Sequence, residues 1–329
     1  MWFETLTGFR EENAEQVRDN IVVDGETMTS KVNGKTFNCG RLETPTLADF
    51  RSRVLELNPP KGKLQLSEVV ADVQLLHQQN ENTGALFQVA SQFNLLEMVA
   101  PHITPEHGVD IYGQDQTQGP ACAIACGAGT IYRNYFANVN DQIGQTSENQ
   151  IDCLRHMGNT LGNTDERLWA MRNGYALATA DGLREISKRL TYGGEEERDN
   201  LRRKLRIGVQ WNTEVTIGNA THTVTQAYGS AVPVSYSSHA TELWSDFGQL
   251  ILEASYEAAI CAAILNSAET GNNKVYLTLL GGGAFGNRDD WIITSIRRAL
   301  QSYAEMDLDV AIVSYRASKP PVQELIKSL

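Results

Sequence analysis

The sequence lacks several features that mark familiar protein classes. We find no apolar run that approaches a membrane span, and the first residues show no basic segment followed by an apolar one. The glycine loop with Lys and Ser or Thr of P-loop nucleotidases is missing, as is the Gly-x-Ser-x-Gly turn of many hydrolases. We therefore expect a cytoplasmic protein without a membrane partner, and neither of those two enzyme classes is supported.

Basic residues are also few. The chain has 28 Lys and Arg against 40 Asp and Glu, a formal net charge of −12. Nucleic-acid-binding proteins normally carry a basic patch, whereas the one dense basic run here, residues 198–206, follows three glutamates and is typical of a solvated helix. This charge pattern predicts no nucleic-acid partner.

Cysteine and histidine are scarce and scattered. The five cysteines are odd in number, which favours small buried thiols over a disulfide framework. The six histidines form no tight pair that would make a clear metal site with a carboxylate. The sequence therefore predicts no metal and no cofactor.

What the sequence does contain is an alternation of predicted strands and helices. With 329 residues, 41% of them hydrophobic, the chain can bury a sizeable core. Predicted elements include strands at 64–76, 85–91 and 169–177, and a long helix at 243–265. Such alternation favours an α/β fold with a largely parallel or mixed sheet covered by helices on both faces. Residues 1–60, with short strands and one helix, are predicted to form an N-terminal extension.

A glycine-rich loop connects a predicted strand at 275–280 to a predicted helix at 289–303. Asn287 is predicted to cap that helix, and Asp289 and Asp290 lie in its first turn. Bare backbone N–H groups and the positive end of a helix dipole together favour an anion site. A tight turn without a ligand is the alternative. The loop residues are Gly281, Gly282, Gly283, Ala284, Phe285 and Gly286.

The same glycines fit the dinucleotide-binding pattern Gly-x-Gly-x-x-Gly, and Asp309 stands near the expected position of the ribose-binding acid. That pattern belongs to the first strand–helix unit of a Rossmann domain, which several further units must follow. Only one helix and one strand are predicted after this loop. A standard NAD-dependent dehydrogenase is therefore not supported.

A second small-residue site is predicted earlier in the chain. A loop over residues 101–120 leads into a predicted helix at 121–136, which is rich in Ala and Gly and brings a second helix N-terminus. Polar side chains also follow the early strands, where a ligand lying across the carboxyl ends of a sheet would meet them, although ordinary turn chemistry explains Ser and Asn equally well. The predicted binding residues of this half are Asp72, Gln88, Ser91, Asn94, Thr117, Gln118, Gly119 and Ala121.

Together these segments resemble macrodomains over residues 64–316, leaving 317–329 as a tail. Asp72 resembles the aspartate that recognises the adenine amino group in that family, and residues 85–94 resemble its strand near the distal ribose. Residues 119–124 look like the first diphosphate loop, and residues 280–286 are similar to the second, whose aromatic residue packs beside the ribose. The final predicted strand at 308–313 also matches. The resemblance implies a three-layer α/β/α macrodomain-like mixed sheet that binds ADP-ribose or ADP-ribosylated protein.

The chain departs from the common family pattern, since the usual Asn-Ala-Ala-Asn segment and the Gly-Gly-Gly of the first loop are absent. It looks closer to atypical macrodomains of the ADP-ribosylarginine hydrolase type, such as the bacterial effector MavL. That resemblance implies hydrolysis of the bond between ADP-ribose and a modified side chain, arginine favoured, with Asp115, Asp289 and Asp290 as candidate catalytic acids. A non-catalytic ADP-ribose reader, or a binder of NAD or another nucleotide diphosphate, are the alternatives.

Overall fold

The structure, a computed structural model, describes all 329 residues and is built around one seven-stranded sheet. Three smaller sheets, of three, two and two strands, flank it. The strands are β1 (Ile21–Asp24), β2 (Thr27–Ser30), β3 (Thr36–Asn38), β4 (Arg41–Glu43), β5 (Gln65–Val70), β6 (Leu86–Ala90), β7 (Asn138–Val139), β8 (Gln142–Ile143), β9 (Trp169–Arg172), β10 (Tyr175–Ala178), β11 (Gly208–Glu214), β12 (Thr223–Gly229), β13 (Lys274–Leu277) and β14 (Asp309–Ser314).

The central sheet has the strand order β4-β11-β12-β6-β13-β14-β5. The five strands from β12 to β5 run parallel, while β11 is antiparallel to both of its neighbours. The carboxyl ends of the parallel strands therefore meet at one edge of the sheet, and this edge carries the cleft described below. The mixed sheet expected from the sequence is confirmed.

Helices cover both faces of this sheet, which gives the predicted three layers. Helices α3, α8, α9 and α10 pack together on one face, and α4, α5 and α6 lie on the other. The helices are α1 (Trp2–Thr7), α2 (Ala14–Asn20), α3 (Leu47–Leu57), α4 (Val73–Gln78), α5 (Gln118–Ala125), α6 (Gly127–Tyr135), α7 (Arg155–Leu161), α8 (Ala180–Arg202), α9 (Ser245–Thr270), α10 (Asp289–Ser302) and α11 (Pro320–Ser328).

The longest helix, α9, lies at the centre of the core. By length and composition alone, a helical stretch at Thr241–Thr270 is apolar enough to cross a membrane. The sequence-based expectation of no such stretch is therefore corrected. In the fold, 89% of its most apolar segment is buried inside the protein. Packing against the sheet and against α3, α8 and α10 accounts for this composition.

The structure corrects two boundaries that bear on the cleft. The strand predicted at 64–76 ends at Val70, because the Asp72 carboxylate accepts a hydrogen bond from Gln74 N at 2.8 Å and caps α4. The helix predicted at 121–136 already begins at Gln118, and it is broken at Cys126, whose φ of −116° and ψ of 60° are not helical. The first turn of α5 therefore starts three residues earlier than expected.

The strand predicted at 169–177 is a hairpin of β9 and β10. Asn173 and Gly174 form its turn, with φ values of 48° and 79°. This Asn-Gly pair is the usual signal of a two-residue hairpin turn, so the prediction of one continuous strand here is wrong. The hairpin carries Tyr175 to the cleft.

The predicted N-terminal extension packs against the rest of the protein at two places. Its strand β4 is an edge strand of the central sheet, and its helix α3 packs on α9. Its first residues share a second hydrophobic cluster with Tyr112 and α6. The Glu11 carboxylate accepts hydrogen bonds from Val109 N and Asp110 N, at 3.0 and 2.7 Å. These contacts hold residues 109–112, which precede the cleft segment that starts at residue 113. The division into domains stays a prediction.

Candidate functional site

A cleft runs along the carboxyl ends of the parallel strands and has two connected parts. The larger part, here called the large cavity, has a volume of about 730 Å³, and the smaller part, the small pocket, about 160 Å³. Two segments run between them, the first loop (residues 115–121) and the second loop (residues 279–287). Six residues line both parts: Asp115, Thr117, Gln118, Thr278, Leu279 and Gly283.

The first loop is tied to the end of β6 by one amide side chain. Gln118 accepts a hydrogen bond from Ala90 N and donates one to Gln88 O, both at 2.9 Å. Gly119 passes so close to this strand end that a Cβ atom there would lie 2.0 Å from Ala90 O. Together these contacts hold the N-terminus of α5 against the cleft.

The second loop is held by a buried tyrosine and a buried asparagine. The Tyr256 hydroxyl, on α9, donates to Thr278 O and accepts from Leu280 N, each at 2.8 Å. Asn287 donates from its side chain to Val232 O at 2.7 Å, and its backbone N–H donates to Gly281 O at 2.9 Å. The loop is therefore closed on itself and fixed to the sheet at both ends.

Both loops leave backbone N–H groups without a partner inside the protein. In the first loop these include the N–H groups of Gln118 and Gly119, in the first turn of α5. In the second loop they include those of Gly283, Ala284 and Phe285. These five residues line the cleft. Free N–H groups beside a helix N-terminus make a site suited to a diphosphate or a similar anion.

Charged side chains give little help to an anion here. The large cavity is lined by three acids, Asp72, Asp115 and Asp289, and by one lysine, Lys319. An anion in this cleft would therefore have to be held mainly by backbone N–H groups. The Asp115 carboxylate accepts a hydrogen bond from Thr117 N at 2.8 Å and stands where the two parts of the cleft meet.

Three aromatic rings border the small pocket. Tyr175, Tyr236 and Phe285 pack against one another with ring centroids 5.0 to 5.6 Å apart. The Tyr175 hydroxyl donates to Met98 O at 2.6 Å, which fixes the ring position. An aromatic wall of this kind suits a sugar face or a planar cationic group.

Most of the predicted site residues line the cleft. Those on the large cavity alone are Asp72, Ala121, Gly282 and Asp289, and those on the small pocket alone are Ser91, Gly119, Gly281, Ala284 and Phe285. Asp115, Thr117, Gln118 and Gly283 line both. The structure thus brings together two loops that are separated by about 160 residues in the chain. Their roles in binding and catalysis stay predictions.

Five predicted residues do not line the cleft. Gln88 and Asn94 are buried; Gln88 accepts from Thr278 N at 3.3 Å, and Asn94 accepts from Leu96 N at 3.1 Å and so shapes a turn. Gly286 and Asn287 end the second loop without lining the cleft. The helix cap predicted at Asn287 is wrong, because its side chain bonds to Val232 O and Arg288 occupies the cap position.

Asp290 is the fifth, and its candidate role as a catalytic acid is not favoured by its surroundings. Its carboxylate is exposed and is paired with the Arg288 guanidinium at 2.9 Å. This ion pair holds the pKa of Asp290 below its usual value. The Asp290 carboxylate therefore lies in the first turn of α10, paired with Arg288 and outside the cleft.

The sequence reading missed several cleft residues. Tyr175 and Tyr236 come from distant segments, and no local sequence pattern distinguishes them from other tyrosines. Thr278 and Tyr315 directly follow strands β13 and β14, where polar or aromatic residues were expected but not singled out. Glu97 also lines the small pocket. It could have been found from the sequence, because it is an acid within the apolar run Leu95–Val99.

Outside the cleft we find neither a disulfide nor a metal-binding cluster. All five cysteines are free and buried, in agreement with the sequence reading. No group of three or more His, Cys, Asp or Glu side chains is arranged to hold a metal ion.

Comparisons with known proteins give solved structures but no sequence relative. No protein-family model and no curated protein matches the chain. A poly(ADP-ribose) glycohydrolase from Deinococcus radiodurans in complex with ADP-ribose is 12% identical, covers 97% of this chain and 98% of its own, and has a TM-score of 0.45. The glycohydrolase from Thermomonospora curvata is 10% identical over 99% and 98%, with a TM-score of 0.44. Its complex with the inhibitor ADP-HPD is 9% identical over the same shares, also at 0.44. These TM-scores lie below 0.5, so the similarity carries no functional conclusion for this chain.

Proposed function

We propose that this protein binds ADP-ribose and hydrolyses its bond to modified protein side chains, arginine favoured. The observation that carries the proposal is a row of free N–H groups, among them those of Gln118, Gly119, Gly283, Ala284 and Phe285, between a large cavity and a small pocket. An elongated ligand with an anionic centre and two unequal ends fits this arrangement. ADP-ribose has that form, with adenosine at one end, a diphosphate in the middle and a ribose at the other.

In this pose the adenosine occupies the large cavity and the terminal ribose occupies the small pocket. The exposed Asp72 carboxylate, at the end of β5, has an oxygen that can accept from the adenine amino group, in line with the macrodomain resemblance. The diphosphate lies between the two loops, where N–H groups replace the basic side chains that the cleft lacks.

Hydrolysis at the anomeric carbon passes through a transition state with oxocarbenium character. Asp115 is the carboxylate best situated to stabilise that charge and to orient water, because it lines both parts of the cleft. Its hydrogen bond from Thr117 N fixes the carboxylate relative to the first loop. Asp289 lines only the large cavity, so a role there in ligand binding fits better than a role in bond cleavage.

The preference for arginine is supported by the aromatic wall of the small pocket. A guanidinium group is planar, cationic and weakly hydrated, and it stacks well on aromatic faces. Tyr175, Tyr236 and Phe285 offer such faces beside the pocket assigned to the terminal ribose. The linkage to a protein side chain would leave the pocket along this wall.

Two measurements test the proposal in sequence. Calorimetry with ADP-ribose, NAD and AMP measures binding, and failure of ADP-ribose to bind would reject the proposal altogether. Release of ADP-ribose from an ADP-ribosylated arginine peptide then measures turnover. Binding of ADP-ribose without its release from the peptide would mean that the protein is a non-catalytic ADP-ribose reader.

Asp115→Asn tests the catalytic assignment. We expect kcat to fall by about 100-fold or more while the Kd for ADP-ribose changes only slightly, because the carboxylate acts mainly in the transition state. Asp181→Asn is the matched control, since the side chain of Asp181 is 95% exposed on α8, away from the cleft. Equal activity of both variants would remove Asp115 from the mechanism.

A further inference from the structure

One acid of the small pocket has no role in the mechanism above. Glu97 lies in the segment after β6, and only 2% of the residue is exposed. It is one of the residues that line the small pocket. The first turn of α5 passes directly over it, since a Cβ atom on Gly119 would lie 3.1 Å from Glu97 Cγ. The missing side chain at Gly119 therefore leaves Glu97 next to the free N–H groups of the first loop.

The Glu97 carboxyl group has no hydrogen-bond partner in the protein. Neither of its oxygens has a partner with hydrogen-bond geometry. The Tyr112 hydroxyl, which accepts a hydrogen bond from Glu97 N at 3.1 Å, is close enough to the carboxyl group to lower its pKa in part. The nearest cation, Arg133 Nη2, is 3.7 Å away, which is too long for a hydrogen bond. The Arg133 guanidinium instead donates to Leu95 O, Thr130 Oγ1 and the Tyr228 hydroxyl. A buried polar group without partners is costly and rare, so a partner from outside the chain would explain it.

The surroundings of Glu97 favour its neutral form. Burial raises the pKa of Glu97 to about 8, and the charge of Arg133 opposes this shift only in part. Near neutral pH the group is therefore mostly a carboxylic acid, which offers one O–H donor. Burial also raises the pKa of the phenols and thiols around it, so these remain neutral. The titratable and charged groups around this site, from its own pocket and from neighbouring elements, are Glu11, Tyr112, Asp115, Cys122, Cys126, Arg133, Tyr175, Tyr228 and Tyr236.

We propose that Glu97 is a ligand-binding residue that donates a hydrogen bond from its neutral carboxyl group to an oxygen of the sugar in the small pocket. The identity of that sugar, the terminal ribose of ADP-ribose, rests on the proposed function. The role differs from that proposed for Asp115, because Glu97 would hold the sugar whereas Asp115 would act at the anomeric carbon.

The test is the pH dependence of ADP-ribose binding, measured by calorimetry between pH 6.5 and about 9.5, above and below the pKa of Glu97. ADP-ribose has no group that titrates in this range. Because only the protonated acid donates, the affinity of the unmodified protein should be constant well below pH 8 and fall by up to about tenfold in total above it. Glu97→Gln has nearly the same shape but does not titrate, so its affinity should lack this fall.

A second variant separates binding from a structural role. Glu97→Leu removes the donor and should weaken ADP-ribose binding by about tenfold at pH 7, with melting retained, because the loss of a hydrogen bond to a bound ligand costs about 1.4 kcal/mol. Parallel pH profiles for the unmodified protein and Glu97→Gln, together with an unchanged affinity of Glu97→Leu, would overturn the inference. Failure of the unmodified protein to bind ADP-ribose at any pH would reject the proposed function, and with it this role.

Discussion

The two loops of the cleft are both rich in small residues, yet their glycines serve different purposes. In the first loop, Gly119 has ordinary helical backbone and is needed because the chain passes against β6. In the second loop, Gly281 and Gly286 have φ values of 75° and 71°, a region that favours glycine. Added Cβ atoms would also clash there, with Ala231 at Gly281 and with Ser235 at Gly286. The first loop is thus limited by packing alone, and the second by backbone conformation and packing together.

Gly283 belongs to neither class. Its φ is not positive, and a Cβ atom there would meet no protein atom within 4 Å. The fold does not require glycine at this position, although the residue lines both parts of the cleft. We infer that its small size serves the ligand, which passes close to the backbone.

The largest effect is expected for Gly119→Ala. The new Cβ would lie 2.0 Å from a backbone oxygen that is fixed in the sheet, so α5 must shift. We expect a loss of about 3 kcal/mol or more in the free energy of unfolding, at the upper end of overpacking effects, and loss of ADP-ribose binding. Urea denaturation and calorimetry measure the two quantities.

Gly283→Ala is the matched control for this change. The same methyl group is added to the other loop in open space, so the free energy of unfolding should stay within about 0.5 kcal/mol. If both variants were equally stable, the packing argument for the first loop would be wrong.

A smaller effect is expected for Asn287→Ala. The buried side chain holds the second loop to Val232 O, which also accepts a hydrogen bond from Val234 N at 3.0 Å. We expect the free energy of unfolding to fall by about 1 kcal/mol, the net value of one hydrogen bond, and ADP-ribose binding to weaken because the loop is released.

Asn273→Ala provides the comparison. Asn273 is bonded to Asp307 at 3.2 Å on the surface, so its loss should change the free energy of unfolding much less. Thermal unfolding of the two variants side by side measures the difference. An unchanged melting temperature for Asn287→Ala would show that backbone bonds alone hold the second loop.

The sequence predicted the second loop better than the first because its signals are local. A short apolar strand, four glycines and a helix start follow one another within residues 274–291, and β13 and α10 lie where this pattern indicates. The role of Asn287 was misjudged, since a cap and a tether to a distant strand look alike in sequence. Only the packing against Val232 distinguishes them.

The first loop depends on contacts that no local pattern carries. The need for glycine at position 119 arises from the approach of α5 to β6, and the tether of Gln118 reaches back 30 residues to Gln88. Glu97, Tyr175 and Tyr236 reach the small pocket from three separate segments. The arrangement of the sheet was predictable from alternating strands and helices, whereas this pocket is a product of tertiary packing.

The smallest effect is expected for Asp290→Asn, which tests whether the acids just beyond the second loop take part in chemistry. The ion pair with Arg288 is exposed and contributes little to stability, and the Asp290 side chain does not line the cleft. We expect kcat/KM for an ADP-ribosylated arginine peptide to remain within about threefold of the unmodified protein. A fall comparable to that of Asp115→Asn would mean that α10 turns its first acids into the cleft when the ligand binds, and that the second loop supplies catalysis as well as the anion site.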